Sequence, residues 1–418
     1  MILNREVKQK RPPRIVLLGN NSGRNLGDAA ILSSILESLS NELPDAEFIV
    51  PSIFPGWIKK HYGKRYNVKP VNVMPWTVSL RLLGIPTLYH LARSDLALIC
   101  DGIIFGKKLL NPAFNYLITL IFLVPWAKLW GCKVVCYSCG IGPFPSRLSR
   151  ICARYVIQNS DLVSMRERDS LKLAKELGVT KKMELTGDAA FINPVSDRKR
   201  ALEILSENGV KDRAPYFGIN VTRYVDAWLS PDERVADKSA FLDMIANGIN
   251  TFIRGSKERI TPLIFSTQPM DEDFCKMLAG KTGAAVIDNS RYLSHDIQSV
   301  MRECELLIGM RFHSLVLASA VEVPVIGLVY APKVRGFMRL LDCERYSLEL
   351  KSLSPEKLGE TLLSAWNERK NLKNKQKKVI DQLKDGARRA ATLLKRKYFP
   401  EYATNTRQSG ETLQTSNG

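Results

Sequence analysis

Histidine is scarce and acidic side chains are outnumbered. Only four histidines (His61, His90, His295, His313) occur in 418 residues, and 61 Lys and Arg face 42 Asp and Glu, a formal charge of +19. Few histidines leave few general acids titrating near neutrality, and the excess of cations asks for an anionic partner such as a phosphate or a lipid head group. Eight cysteines lie mostly inside apolar runs such as Val134 to Cys139, where a thiol packs as a small hydrophobe; a disulfide scaffold is not expected. Cys132, Cys136 and Cys139 lack a histidine at ligand spacing, so no metal site is expected. The polar, basic first twelve residues have no apolar core behind them, and a secretory signal is not expected. The longest greasy stretch, Ala113 to Trp130, is interrupted by Asn115, Pro125 and Lys128 and reads as a buried or interfacial helix rather than a span. No Walker sequence, dinucleotide fingerprint, glycine-serine elbow or internal repeat is present. At 45% hydrophobic and 25% charged, the chain is globular and long enough for two domains.

What is there is a repeated strand-loop-helix grammar. Arg14 to Gly19, Ala46 to Val50, Leu96 to Cys100, Lys133 to Ser138 and Leu162 to Met165 are short apolar runs, with helical segments such as Ala29 to Leu39, Arg150 to Gln158 and Ser170 to Leu177 between them. Uniformly apolar strands imply a parallel sheet covered on both faces. A second series follows Asn193-Pro194. A charged helix over Asp197 to Asn208 leads through Asp212-Arg213-Ala214-Pro215 to strands at Tyr216 to Val221, Thr261 to Ser266, Ala284 to Ile287, Glu305 to Ile308 and Val323 to Val329. Helices are expected at Lys238 to Arg254 and Met270 to Leu278. The expected fold is α/β with two Rossmann-like domains, 1–195 and 196–368, whose parallel sheets face a cleft. A basic C-terminal helix and polar tail, 369–418, follows. Ligands of such sheets sit at the carboxyl ends of the strands. The bland reading of the basic segment Arg369 to Lys397 is a solvated helix packed on the second domain; the sharper one is adsorption to an anionic bilayer, helped by the greasy segment.

Several strand ends carry chemistry. Gly19 to Leu32 joins a strand to a helix near Gly27-Asp28 and offers backbone N–H groups to an anion; Asp28 as a simple helix cap fits equally well. Asp101-Gly102 and Gly140-Ile141-Gly142-Pro143 end two further strands, where glycine permits close approach or a tight turn. Arg166 follows the fifth strand as a fork for phosphate or carboxylate, with Glu167 and Asp169 as alternative surface partners and Asp169 or Ser170 as helix cap. Arg311 and His313 stand two apart between a strand and an apolar helix, a permanent cation beside a titrating group. His295, beside Asp296, reads as a cap or a surface residue.

The ordered motifs Asn25 to Leu32, Gly140 to Pro143, Ser164 to Ser170, Thr186 to Phe191, and Gly309 to Ser314 with Tyr330 and Lys333 downstream resemble the polysaccharide pyruvyl transferase family over roughly residues 14 to 340. The family's run of glycines after the third strand is replaced here by Cys100-Asp101-Gly102. The resemblance implies a GT-B-like fold and transfer of pyruvate from phosphoenolpyruvate to a sugar of a cell-surface polysaccharide, or its lipid-linked precursor, as a ketal, with phosphate released. Arg311 and Arg166 would clamp the donor. His313 would protonate the enol methylene or assist phosphate departure. Asp28 and Asp101 are the candidate bases, and Asn25, Gly27, Gly140, Gly142, Ser314, Tyr330 and Lys333 would bind substrate. No cofactor is required beyond the donor. The expected place is the cytoplasm at the inner membrane face, with peripheral contact to anionic lipid and no nucleic acid. The alternatives are a nucleotide-sugar-dependent GT-B glycosyltransferase and a non-enzymatic module binding anionic membrane or nucleic acid, which would leave Arg311 and His313 unused.

Overall fold

A computed structural model describes residues 11–73, 84–111, 115–210, 215–223 and 237–402. The expected turn at Asp212 to Ala214, Ala113 at the head of the greasy stretch, and the tail beyond residue 402 lie outside the described residues. Among the described residues, the chain divides into two compact units, drawn from residues 1–23, 31–189 and 383–418 and from residues 24–30 and 190–382. These limits are drawn differently from the sequence boundaries at 195/196 and 368/369.

The first unit holds β1 (Arg14–Leu18), β2 (Glu47–Ser52), β3 (Val68–Asn72), β4 (Leu96–Ile99), β5 (Lys133–Cys139), β6 (Leu162–Met165) and β7 (Glu184–Leu185). They form one sheet in the order β3-β2-β1-β4-β5-β6-β7, and every pairing is parallel. Leu96, Ala97, Leu98 and Ile99 are all fully buried, as a central strand covered on both faces requires.

The second unit repeats the plan with β8 (Tyr216–Asn220), β9 (Thr261–Ser266), β10 (Ala285–Asp288), β11 (Cys304–Gly309), β12 (Val325–Val329) and β13 (Ser347–Glu349), in the order β10-β9-β8-β11-β12-β13. In each sheet the strand order reverses once, between β1 and β4 and between β8 and β11. Ligands of open parallel sheets gather outside the carboxyl ends at that point.

Three strands, β3, β7 and β13, lie outside the sequence expectation, and all three are sheet edges. An edge strand has one unpaired side and does not need a continuous apolar run; β3 even contains Pro70, which an edge tolerates. The Ala113 to Trp130 stretch forms a helix over Leu117–Leu129, with Leu117, Leu120, Leu123, Val124 and Ala127 buried. Its start is set by Asn115, whose amide donates to the Phe105 and Lys107 carbonyls while its Oδ1 accepts from the Leu117 N–H. No helix among the described residues is long and apolar enough to cross a membrane.

The basic segment is a single helix, Arg369–Tyr398. Its early part packs on the second unit, where the buried Gln376 amide bonds both the N–H and the carbonyl of Val325. Its later part belongs to the first unit, where Gly386 lies against Gly187. Many of its cations are matched: Arg369 with Glu258 at 3.0 Å, Lys375 with Asp342 at 2.8 Å and Lys395 with Glu42 at 2.8 Å.

Candidate functional site

A cavity of about 160 Å³ opens at the carboxyl ends of β9, β11 and β12 in the second unit. Its walls come from three strand-to-helix junctions and from the turn Asn25-Leu26-Gly27, which belongs to the same unit. That turn is held by the Leu26 N–H, which donates to the Thr267 carbonyl at 3.0 Å, and by the Asn289 amide, which donates to the Arg24 carbonyl at 2.9 Å.

Arg311 stands at the strand-order reversal. The Met310 N–H donates to the Asn220 carbonyl and the Arg311 N–H to the Asn220 Oδ1, both at 3.0 Å, so β8 fixes the turn that follows β11. The guanidinium Nε donates to Asp271 Oδ2 at 2.5 Å. Asp271 is fully buried, and its Oδ1 accepts from the Thr222 hydroxyl and the Arg223 N–H. Among the described residues, the enclosed Nη2 of Arg311 has no hydrogen-bond partner. Such an orphan donor is costly, and an anion in the adjoining cavity would satisfy it.

The helix Phe312–Ala320 begins directly after Arg311 and has no side-chain cap; the helix Pro332–Leu340 begins at the same cavity, also without one. Both present the positive ends of their dipoles there. Lys333, in the first turn of the latter, sits 5.8 Å from the Phe312 ring centroid. No Asp or Glu lines the cavity among the described residues.

His313 packs face to face with Gly27: a Cβ built on Gly27 would fall 2.1 Å from His313 Nδ1 and 2.8 Å from its Cβ. Glycine at 27 is therefore a requirement of close approach. Ser314 turns its hydroxyl back to the Arg311 carbonyl at 2.7 Å and so braces the turn. Asn25 supplies the cap of the helix Leu26–Glu42, its Oδ1 accepting from the Gly27 N–H at 3.0 Å and the Asp28 N–H at 3.4 Å. This corrects the reading of Asp28 as cap. Asp28 lies in the first turn, half-buried, and is not among the cavity-lining residues.

Asn25, Gly27, Arg311, His313, Ser314, Tyr330 and Lys333 thus come together, whereas Asp101, Gly140, Gly142 and Arg166 form a separate cluster in the first unit. There Arg166 donates from Nη1 to Asp188 Oδ2 at 2.9 Å and lies 3.6 Å from Glu167; Asp188 stands in the Thr186 to Phe191 motif, but its pairing with Arg166 was not part of the sequence expectation. Burial pulls the Arg166 guanidinium toward neutrality, but the carboxylates of Glu167, Asp188 and Asp101 outweigh it and leave its pKa above the ordinary arginine value. A Cβ on Gly140 would fall 2.4 Å from Arg166 Nε, so the glycine is the platform on which the guanidinium lies. Gly142 has φ +83° and precedes a cis peptide to Pro143. Asp101 is itself left-handed at φ +68°, with Oδ1 accepting from the Gly102 N–H.

Neither Asp169 nor Ser170 caps the helix Arg168–Glu176, whose cap position is Glu167. The Ser170 hydroxyl instead donates to Glu167 and accepts from the Ile141 N–H at 3.0 Å, tying the glycine turn to the helix. His295 lies in the first turn of the helix Ser294–Met301, where its backbone carbonyl accepts from the Ser196 N–H. The sequence reading missed Thr267, Gln268 and the buried Asp271. A signal for the first two existed, since they directly follow β9 at its carboxyl end; nothing local marks Asp271, which is forty residues from Arg311.

Residues 25–332 match the model of the polysaccharide pyruvyl transferase family. The chain belongs to this family. It is 22% identical over 386 residues to the amylovoran biosynthesis protein AmsJ of Erwinia amylovora, covering 81% of this chain and 89% of that one. Among solved structures it resembles a putative UDP-N-acetylglucosamine 2-epimerase from Listeria monocytogenes, at 13% identity and a TM-score of 0.60 over 92% of this chain and 94% of that one. The UDP-GlcNAc 2-epimerase of Methanocaldococcus jannaschii is similar at 15% identity and a TM-score of 0.58, over 92% and 99%. At these identities the likeness speaks for fold alone: two Rossmann-like, GT-B-like domains. Family membership makes this protein a transferase of polysaccharide biosynthesis with a saccharide acceptor.

Proposed function

We propose that this pyruvyl transferase takes its three-carbon unit from phosphoenolpyruvate and sets it on a sugar as a cyclic ketal, releasing phosphate. The observation that carries the reading is the second-unit cavity. It combines two uncapped helix N-termini, the Arg311 fork with its unsatisfied Nη2, Lys333 and His313, with no carboxylate among its described lining residues. A small donor bearing a phosphate and a carboxylate suits such walls. Arg311, oriented by the buried Asp271, is the guanidinium fork assigned to it.

One acceptor hydroxyl adds to the central carbon of the enol, its proton passing to the phosphate that will leave, while His313 gives a proton to the methylene carbon and is later reprotonated from the base. The carbon–oxygen bond to phosphate then breaks, the second hydroxyl adds to the resulting oxocarbenium ion, and a base takes its proton. Asp28, in the first turn of the helix Leu26–Glu42, is the candidate for that base. Fixed cations beside the departing phosphate stabilise the charge as it develops. No cofactor enters these steps.

The test is inorganic phosphate release from phosphoenolpyruvate with and without a lipid-linked or cell-surface oligosaccharide fraction, with pyruvate then sought on the glycan. Acceptor-dependent release that disappears in His313→Ala supports the reading. Thermal protection by a nucleotide sugar, with neither protection by nor release from phosphoenolpyruvate, would replace it with glycosyl transfer.

A further inference from the structure

One stretch of the chain has no acidic residue at all: between Asp101 and Asp161 there are seven Lys or Arg and not one Asp or Glu. It contains two of the helices that pack side by side on one face of the first sheet, Leu117–Leu129 and Arg147–Asn159, and a third, Ile85–Leu91, packs beside them. The row is fastened by the Trp126 indole N–H, which donates to the Leu88 carbonyl at 3.0 Å. Right-handed crossovers place all three on the same side of the sheet.

The inner sides of these helices belong to the core around β4 and β5. Their outer sides carry large apolar side chains in the open. Leu129 is 73% exposed, Ile151 65% and Tyr89 60%, with Phe122, Trp130 and Leu148 also exposed. On the helix Arg147–Asn159 each apolar outward residue follows an arginine, as Arg147-Leu148, Arg150-Ile151 and Arg154-Tyr155. A stripe of cations therefore runs beside a stripe of apolar groups. Among the described residues, none of these three arginines makes an ion pair, in contrast to the matched cations of the helix Arg369–Tyr398.

We propose that this face docks on an anionic lipid bilayer. Its composition matches the interface of such a membrane in three respects. Aliphatic side chains can enter the acyl boundary, Trp130 and Tyr89 suit the head-group level, and unpaired arginines meet the negative surface. A nucleic acid would use the cations and leave Leu129 and Ile151 in water; a protein partner would leave the one-signed charge without a reason. The contact is peripheral, because a helix of thirteen residues rises only about 20 Å. The inference goes beyond the transferase reading and does not depend on the identity of the donor.

The experiment is cosedimentation of the purified full chain with vesicles of phosphatidylglycerol and phosphatidylcholine against vesicles of phosphatidylcholine alone. Binding is expected to the anionic vesicles and to weaken with salt. At about fivefold per lost cation, the triple variant Arg147→Glu, Arg150→Glu, Arg154→Glu is expected to bind roughly a hundredfold more weakly. Leu129→Ser with Ile151→Ser is expected to lose binding at low salt as well, while Lys370→Glu with Lys378→Glu on the C-terminal helix keeps it. All of these positions are exposed, so unchanged melting temperatures and unchanged protection by phosphoenolpyruvate separate loss of docking from loss of fold or of donor binding. Vesicle binding that survives both face variants, or that vanishes with the C-terminal pair, would overturn the proposal. So would a preference for a random oligonucleotide that ignores Leu129 and Ile151.

Discussion

Replacing Gly27 by alanine isolates the contact between the first helix and His313. Gly27 is the second residue of its helix and needs no left-handed backbone, so alanine is locally welcome and gains about 0.5–1 kcal/mol of helix stability. The added methyl, however, would fall 2.1 Å from His313 Nδ1, 2.4 Å from Cγ and 2.8 Å from Cβ. Turning the imidazole relieves the first two clashes but not the third, because the His313 Cβ is fixed to its backbone; the two helix starts must separate. Overpacking of this kind costs about 1–3 kcal/mol, which leaves a net loss of at most about 2.5 kcal/mol. At roughly 2–4 °C per kcal/mol for a unit of this size, melting falls by a few degrees. Displacing a reacting group by about 1 Å costs on the order of a hundredfold in rate. Gly27→Ala should therefore cut kcat/KM for phosphoenolpyruvate-dependent phosphate release about a hundredfold while remaining folded. Gly56 is the matched control: it is also the second residue of its helix, Pro55–Tyr62, and a Cβ there meets nothing within 4 Å. Gly56→Ala should be neutral or stabilising and fully active. Gly27→Ala turnover within twofold of the parent would refute the proposition that this glycine positions a working histidine.

Arg311→Lys keeps the charge but removes the fork and the bond to the buried Asp271; charge-assisted bonds of about 1.5–3 kcal/mol translate into donor affinity at least tenfold weaker by titration calorimetry. Unchanged affinity would remove Arg311 from the donor site. Gly140→Ala pushes a methyl into the Arg166 guanidinium, so it should reproduce the defect of Arg166→Ala. The double variant should be no worse than either alone; additive losses would show that the two act separately. All eight cysteines are free and buried, and burial pushes the Cys132 and Cys275 thiols up to about 12. A thiol reagent near pH 8 should label the native chain slowly and eight groups after unfolding. Rapid native labelling would mean that the segments holding these cysteines open far more readily than their packing suggests.

The central strands of both sheets were legible in the chain because a strand covered on two faces must be apolar throughout. Their edge neighbours were not, because β3, β7 and β13 are short and half-unpaired. Leu117–Leu129 was legible as a buried or interfacial helix, but its outward side chains acquire meaning only beside those of Arg147–Asn159. The motif spacing marked Arg311, His313, Lys333 and the Asn25-Leu26-Gly27 turn, since strand-to-helix junctions carry recognisable glycines and polar residues. The assignment of that turn to the second unit was not legible, because it depends on a backbone bond between Leu26 and Thr267, residues far apart in sequence. The same holds for the aspartates. Asp271 looks like an ordinary acidic residue in the chain, Asp188 stands in a motif without a stated partner, and only folding buries each one against an arginine.

The sequence by itself determined the alternation of strand and helix, the family and the residue types at the strand ends, because these rest on periodicity and local chemistry. The tertiary structure alone decided which carboxylate holds which guanidinium, that His313 lies on Gly27, and which cations remain unpaired. Those depend on distances between segments that come together only when each unit folds around its own sheet.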